Sequence, residues 1–161
     1  LLNTGYHHVG PAAVRYPRGT GPNAQISDSL EAVPLAKAVV RRTGQGVALL
    51  VFGVQLTAAL EAAEQLDATV VDMRFVKPLD EELLTELAAD HSLFVTIEEN
   101  AVMGGAGSAV GEFVAAKQLN VPLLQLGLPD IYVEHGQPAQ MLAECGLDSA
   151  GILQAVQQRL A

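Results

Sequence analysis

The sequence predicts an α/β fold with a mostly parallel sheet and helices on both faces of that sheet. Half of the 161 residues are hydrophobic but only 4% are aromatic, so Ala, Val and Leu supply most of the apolar surface. Short, wholly apolar segments, typical of strands buried on both faces, alternate with segments that repeat apolar residues at helical spacing. The connections between them are short, which favours parallel strands joined by helices.

The first 29 residues are rich in Gly, Pro, Asn and Ser and contain one candidate strand, at residues 12–16. Pro17 follows it, and because proline cannot donate to a sheet ladder we expect the strand to end there. Residues 19–23 have the composition of a linker. Between residues 33 and 42 we expect another strand, although this segment is also compatible with a helix.

A regular alternation of strands and helices begins at Val47. The predicted strands cover residues 47–52, 68–73, 92–97 and 121–126. The predicted helices cover residues 56–63, 80–89 and 107–119, followed by a short helix that starts at Pro138 and another that starts after an N-cap at Asp148. Ligands of open α/β sheets gather at the carboxyl ends of the strands, so candidate functional residues are those that follow the strands.

The net charge of −9 is unevenly distributed along the chain. Residues 1–46 carry five basic and two acidic residues, whereas residues 47–161 carry four basic and sixteen acidic ones. An acidic body repels a phosphate backbone, which argues against a nucleic-acid-binding protein. The basic N-terminal segment suits a small anionic ligand.

The apolar segments and the cysteine content indicate where the protein works. No run approaches the roughly 18 apolar residues of a membrane-spanning helix, so we expect no membrane partner. The single Cys145 excludes an internal disulfide, and we expect a packed thiol in a cytoplasmic protein. The four histidines show no metal-ligand spacing, so no metal site is predicted.

Polar residues follow two of the predicted strands. Asp72 and Arg74 are two residues apart and therefore share one face of an extended chain, as a polar pair in a crevice or, as we favour, as a mutual ion pair. Glu98 and Glu99 are adjacent, so their side chains should point to opposite faces of the sheet. An acid–base dyad of these two carboxylates is therefore not expected.

A glycine-rich loop at residues 104–108 leads into a predicted helix. Such loops bind phosphates through free backbone N–H groups, but a dinucleotide-binding loop would follow the first strand and be answered by an acidic residue about 20 positions later. This loop follows a late strand with several residues between them, and no acidic residue answers it at that distance before Asp130. We therefore favour close approach of the backbone to a neighbouring helix or to a partner subunit.

Arg15 is the best candidate for ligand chemistry. It ends a short predicted strand beside the rigid Pro17, so its planar guanidinium would be held in place to bind a phosphate or carboxylate through two hydrogen bonds. The alternative is that Arg15 and Arg18 are a solvated pair in a linker. Spacing alone leaves both interpretations open.

Several segments resemble, in the same order, the C-terminal part of the 1-deoxy-D-xylulose-5-phosphate synthases, a family of transketolase-like enzymes. The matching segments are residues 4–7, 13–19, 71–80, 98–108 and 127–130. The two long segments, 71–80 and 98–108, are specific to this family, whereas transketolases and 2-oxoacid dehydrogenase β subunits share only the general layout. The likeness covers essentially the whole chain.

The resemblance implies a thiamine diphosphate enzyme that works as a homodimer with Mg²⁺. Members condense pyruvate with D-glyceraldehyde 3-phosphate and release CO₂. This reaction opens the non-mevalonate isoprenoid pathway and supplies precursors of thiamine and pyridoxal. Residues 1–22 would end the pyrimidine-binding domain, residues 23–32 would be a linker, and residues 33–161 would form a transketolase-like C-terminal domain.

The resemblance implies a functional role for only a few residues of this chain. Arg15 matches the arginine that binds the phosphate of the aldehyde substrate, while Arg18 and Tyr16 are weaker candidates. No catalytic, cofactor-binding or metal-binding residue is expected here, because those belong to segments that this chain, which starts at Leu1, does not contain. We therefore expect it to be inactive alone.

Two alternative functions remain. One is a non-catalytic assembly domain of a transketolase or 2-oxoacid dehydrogenase β subunit. The other, which matches the sequence less well, is a dinucleotide-binding domain.

Overall fold

The computed structural model describes residues 1–17 and 29–161, and its elements follow the predicted alternation. The helices are α1 (Leu2–His7), α2 (Leu56–Leu66), α3 (Glu81–Asp90), α4 (Ala106–Ala116), α5 (Pro138–Glu144) and α6 (Ser149–Leu160). The strands are β1 (Val39–Arg42), β2 (Gly46–Phe52), β3 (Thr69–Asp72), β4 (His91–Ala101) and β5 (Leu123–Leu128). Among the described residues no helix is long and apolar enough to cross a membrane.

The strands form one five-stranded sheet in the order β1-β3-β2-β4-β5. Strands β2, β3, β4 and β5 are parallel, and β1 pairs with β3 in the antiparallel direction at one edge. The prediction of a mostly parallel sheet is therefore confirmed. All four parallel strands end at the same edge of the sheet, which we call the carboxyl edge.

Helices bury both faces of the sheet. Along β2, Leu49 and Val51 point to a cluster that contains residues of α2 and α6, whereas Ala48 and Leu50 point to a cluster that contains residues of α3 and α4. All four side chains are inaccessible to solvent. This double burial explains why β2 is an uninterrupted apolar run instead of an alternating one.

The N-terminal segment differs from its prediction. Residues 11–17 form no regular structure, so the strand predicted at 12–16 was wrong, and α1 precedes this stretch. The segment is instead held by side-chain contacts: the Thr4 hydroxyl accepts a hydrogen bond from the Val33 amide at 2.9 Å, and the Asn3 side chain donates to the Leu30 carbonyl. An extended segment needs a neighbouring strand to become part of a sheet, and this one has none among residues 1–17 and 29–161.

The segment from residue 33 to 42 is a strand only over Val39–Arg42. Ala36 has a left-handed backbone conformation with φ of 58°, which interrupts an extended chain before β1 begins. The preference for a strand over a helix is therefore confirmed for the second half of the segment alone.

Aspartate side chains cap two of the helices. Asp80 is 5% exposed; one carboxylate oxygen accepts from the Leu83 amide at 3.2 Å and the other from the Ala38 amide at 3.0 Å. Asp148 caps α6 by accepting from the Gly151 amide at 2.8 Å, as predicted. Near Asp80, a hydrogen bond to Glu82 raises the pKa of Lys37 above its ordinary value.

Replacing Asp80 with alanine should destabilise the protein more than replacing Asp148. The Asp148→Ala variant loses one cap, which costs about 1 kcal/mol. Asp80→Ala loses a cap and leaves the Ala38 amide without its acceptor, so about 2–3 kcal/mol is expected. Urea denaturation followed by circular dichroism measures both losses, and equal losses would contradict this account of Asp80.

Candidate functional site

The end of β4 organises the carboxyl edge. This strand continues to Ala101, four residues beyond the predicted end, so Glu98, Glu99 and Asn100 lie within the strand. Its last pair with β2 is Glu98 opposite Phe52, and its pairing with β5 is interrupted between Ile97 and Ala101. The extension therefore places three polar residues in the strand at the carboxyl edge, beyond its apolar part.

Glu98 binds the N-terminus of α4. Its side chain is 4% exposed; Oε2 accepts from the Ala106 amide at 2.7 Å and Oε1 accepts from the Gly107 amide at 2.8 Å. These amides have no acceptor within the helix, and the N-cap residue Gly105 has no side chain to offer one. A buried carboxylate from a neighbouring strand therefore does the work of a cap and complements the helix dipole.

Two glycines of the loop, Gly105 and Gly107, allow α4 to lie this close to β4. A Cβ atom on Gly107 would collide with the Thr96 hydroxyl, and one on Gly105 would collide with the Ala101 carbonyl and lie 2.5 Å from Glu98 Oε2. The predicted close approach of the backbone is confirmed, but its partner is β4 and not a helix. Since Glu98 occupies the Ala106 and Gly107 amides, these amides do not offer a phosphate site.

Glu98 and Glu99 point to opposite faces of β4, as predicted. The Glu99 side chain is exposed, and its backbone carbonyl accepts a hydrogen bond from Arg15 Nη2 at 3.3 Å. Arg15 is also exposed, so its guanidinium lies at the carboxyl edge and is accessible to a ligand. Tyr16 is 75% exposed, and Arg18 lies outside the described residues.

The predicted ion pair between Asp72 and Arg74 is wrong. Asp72 ends β3 opposite Val39 of β1 and forms its ion pair with Arg41, at 2.8 Å. Arg74 lies beyond the strand in a left-handed conformation with φ of 58°, so the alternation of side chains that made the two residues neighbours no longer applies there. The Arg74 guanidinium carbon lies 5.9 Å from the centre of the Phe75 ring.

Other candidate groups lie away from this edge or form no cluster. Among residues 1–17 and 29–161, no group of three His, Cys, Asp or Glu side chains could hold a metal ion. Cys145 is partly buried and packs against the apolar cluster that contains residues of α2 and α6. Sequence reasoning missed the capping role of Glu98, although a glycine at the N-cap of α4 and a carboxylate on the preceding strand are the signal that points to it.

Removing the Glu98 carboxylate should destabilise the protein far more than removing that of Glu99. Glu98→Ala leaves two buried amides without acceptors, and about 2–4 kcal/mol should be lost. Glu99→Ala removes only an exposed side chain and keeps the carbonyl that binds Arg15, so a change within about 0.5 kcal/mol is expected. Urea denaturation compares the two variants, and a small loss for Glu98→Ala would show that water replaces the carboxylate.

Comparison with known proteins identifies the domain. The family model described as the transketolase C-terminal domain matches residues 36–152. The chain is 71% identical over all 161 residues to 1-deoxy-D-xylulose-5-phosphate synthase of Pseudomonas entomophila strain L48, and 71% identical over 160 residues to the synthase of the same name from Pseudomonas aeruginosa strain UCBPP-PA14. It spans 26% of the length of each.

A solved structure agrees with these matches. It is described as a split-gene transketolase, an inactive tetramer of β subunits. It is 33% identical to this chain, with a TM-score of 0.76. The match covers 88% of this chain and 46% of that one. The resemblance to the C-terminal portion of the synthases, noted in the sequence motifs, is thus confirmed. The chain belongs to the family of transketolase C-terminal domains.

Proposed function

We propose that this chain acts as the C-terminal part of a 1-deoxy-D-xylulose-5-phosphate synthase. The observation that carries the proposal is the 71% identity, over the entire chain, to proteins of that name. The reaction would be the decarboxylative condensation of pyruvate with D-glyceraldehyde 3-phosphate, in the cytoplasm. It would open the non-mevalonate isoprenoid pathway and supply precursors of thiamine and pyridoxal.

The described residues do not fit the cofactors of this reaction. They contain no cluster of three His, Cys, Asp or Glu side chains that could hold a metal ion, and Glu98 occupies the amides of α4 that would suit a diphosphate. Thiamine diphosphate supplies the carbanion chemistry wherever it is bound. We therefore assign both cofactors to segments outside these 161 residues and expect the chain to be inactive alone.

Arg15 would contribute to the reaction by binding the phosphate of the aldehyde. A guanidinium binds a phosphate through charge-assisted hydrogen bonds, and the Glu99 carbonyl restrains this one at 3.3 Å. Binding energy from the phosphate, which does not react, would then orient the aldehyde carbonyl for attack. In this arrangement the end of β4, in the C-terminal domain, would restrain the Arg15 side chain that binds the substrate.

The proposed division of the chain follows from the same assignment. Residues 1–22 would complete a pyrimidine-binding domain, residues 23–32 would link it to the rest, and residues 33–161 would form the C-terminal domain of a homodimeric enzyme. The start of the matching family model at residue 36 agrees with the last boundary.

Replacing Arg15 should impair use of the phosphorylated aldehyde selectively. In a synthase that contains these residues, Arg15→Ala should raise the KM for D-glyceraldehyde 3-phosphate roughly 10- to 100-fold, the equivalent of a charge-assisted hydrogen bond. The KM for pyruvate should change less than about twofold, since pyruvate has no phosphate. Arg159→Ala, at the exposed end of α6, serves as the control. Steady-state kinetics on both substrates checks the prediction, and equal effects would overturn it.

A second candidate function is assembly without catalysis, as the domain of a transketolase or 2-oxoacid dehydrogenase β subunit. The similar solved structure is described as an inactive tetramer. In this chain, large exposed apolar side chains follow each of the four parallel strands. They are Val54, Val76, Met103, Ile131 and Tyr132. Apolar side chains gathered at one edge are typical of a protein–protein interface.

If assembly is the domain's own role, the 161-residue chain should form dimers or larger species by itself. Sedimentation velocity should then show Met103→Ser, in the carboxyl edge, shifting the chain toward the monomer. Leu160→Ser, at an exposed apolar residue on the last helix, should leave the distribution unchanged. A monomer at all concentrations would contradict this second function and leave the synthase proposal intact.

A further inference from the structure

The strand β1 forms an open edge of the sheet in the part of the chain that the structure describes. It pairs with β3 alone, and β3 pairs on its other side with β2. Every second residue of an antiparallel pair directs its backbone N–H and C=O groups away from the partner strand. These outer groups of β1 have no partner in the sheet, and an edge of this kind is a template for one more strand.

A groove runs beside this edge, between β1 and α3, and we call it the edge groove. It consists of two cavities of about 350 and 550 Å³ that share Val40, Leu83 and Glu86 in their walls. Val40 is 41% exposed, although it stands opposite the fully buried Val71 of β3. At the other edge of the sheet, by contrast, every residue of β5 is partly buried. The apolar residues that line the edge groove are Ala38, Val40, Leu83 and Leu87.

The edge groove has the length of a short strand. Its wall on α3 reaches from Glu82 to Asp90, and at about 1.5 Å per residue this interval is about 12 Å long. An extended chain covers that distance in about four residues, and β1 itself has four residues. Every second side chain of an added strand would face the groove beside Val40 and Leu83.

Acidic side chains on α3 determine which partner fits the groove. Glu82, Glu86 and Asp90 follow one another at intervals of four residues, so they line one side of it, and all three are exposed. Lys37 also lines the groove, but it pairs with Glu82 at 2.6 Å. None of the ion pairs in the described part of the chain involves Glu86 or Asp90. Two carboxylates are therefore left to attract a basic partner.

The basic side chains of β1 do not oppose such a partner, because they are already paired. Arg41 pairs with Asp72 at 2.8 Å, and Arg42 pairs with Asp67 at 3.0 Å. A second copy of this chain is a poorer occupant. Antiparallel pairing of β1 with its own copy would place both α3 helices on the same face of the joined sheet, and their acidic side chains would repel each other.

We propose that the edge groove binds a basic, extended segment of another protein, which adds a strand to β1. The partner carries lysine or arginine side chains that face Glu86 and Asp90, and a small apolar side chain that packs against Val40. In this mode of recognition the backbone hydrogen bonds supply affinity and alternate side chains supply specificity. The site is separate from Arg15, which contacts β4, and the proposal does not depend on the synthase reaction.

Titration of the ¹⁵N-labelled 161-residue chain with the blocked pentapeptide Lys-Thr-Val-Thr-Lys tests the proposal. The first, third and fifth side chains of this peptide share one face of an extended chain, so two cations and one apolar group can face the groove together. We expect a Kd of about 1 mM or tighter. Binding should slow the hydrogen exchange of those β1 amides that point away from β3.

Two control peptides separate strand addition from attraction by charge alone. Methylation of the three central backbone nitrogens removes donors from both edges of the peptide but keeps its side chains. This peptide should bind at least about tenfold more weakly. The peptide Glu-Thr-Val-Thr-Glu keeps the backbone but reverses the charge, and it should not bind at the same concentrations.

Variants of two exposed glutamates locate the site. Glu86→Lys should weaken binding of the basic peptide about three- to tenfold, because an attraction becomes a repulsion. Its melting temperature should not fall, since the change creates pairs of opposite charge with Glu82 and Asp90 on the same helix. Glu61→Lys makes the same change of charge on α2, which packs on the other face of the sheet, and should leave the affinity unchanged.

The results that support the proposal are slower exchange in β1 and a loss of affinity confined to Glu86→Lys. Absence of binding by the basic peptide at millimolar concentrations would overturn it. Equal binding of the methylated peptide would also overturn it, since no strand would then be added. So would an equal loss of affinity in Glu61→Lys, because binding would then reflect only the net negative charge of the chain.

Discussion

The hydrogen bonds between the Glu98 carboxylate and the first amides of α4 fix the geometry of the carboxyl edge. The contact ties the longest strand of the sheet to the helix that follows it, and it does so in a buried position. A carboxylate removed from water in this way is stabilised by charge-assisted hydrogen bonds and by the positive end of the helix dipole. Glu99, which follows Glu98 in the strand, offers its carbonyl to Arg15. One strand end therefore positions both the helix and the candidate substrate-binding residue.

The sheet and helices from β2 onward could be predicted because their signal is local. A short apolar run that ends at Gly53 favours a buried strand, and Asp148 caps α6 through a residue three positions away. The N-terminal segment could not be predicted in this way. Its conformation depends on contacts of Thr4 with Val33 and of Arg15 with Glu99, which are 29 and 84 residues apart in the sequence.

The candidate sites were predictable only in part for the same reason. Adjacent positions on a strand were enough to separate Glu98 from Glu99, because alternation is a property of the strand itself. The partner of Asp72 was missed, since Arg41 lies 31 residues earlier and meets it only through the antiparallel pairing of β1.

The absence of free volume around the Glu98 carboxylate has a consequence for how this domain can change over evolution. Its oxygens lie where side chains on Gly105 and Gly107 would otherwise be, and Thr96 bounds the same space. A larger residue at position 107 would therefore require a smaller one at position 96 or 98 at the same time, whereas a larger residue at position 105 would still collide with the backbone carbonyl of Ala101. Positions 96, 98 and 107 should therefore change together among descendants of this sequence, and position 105 should remain glycine.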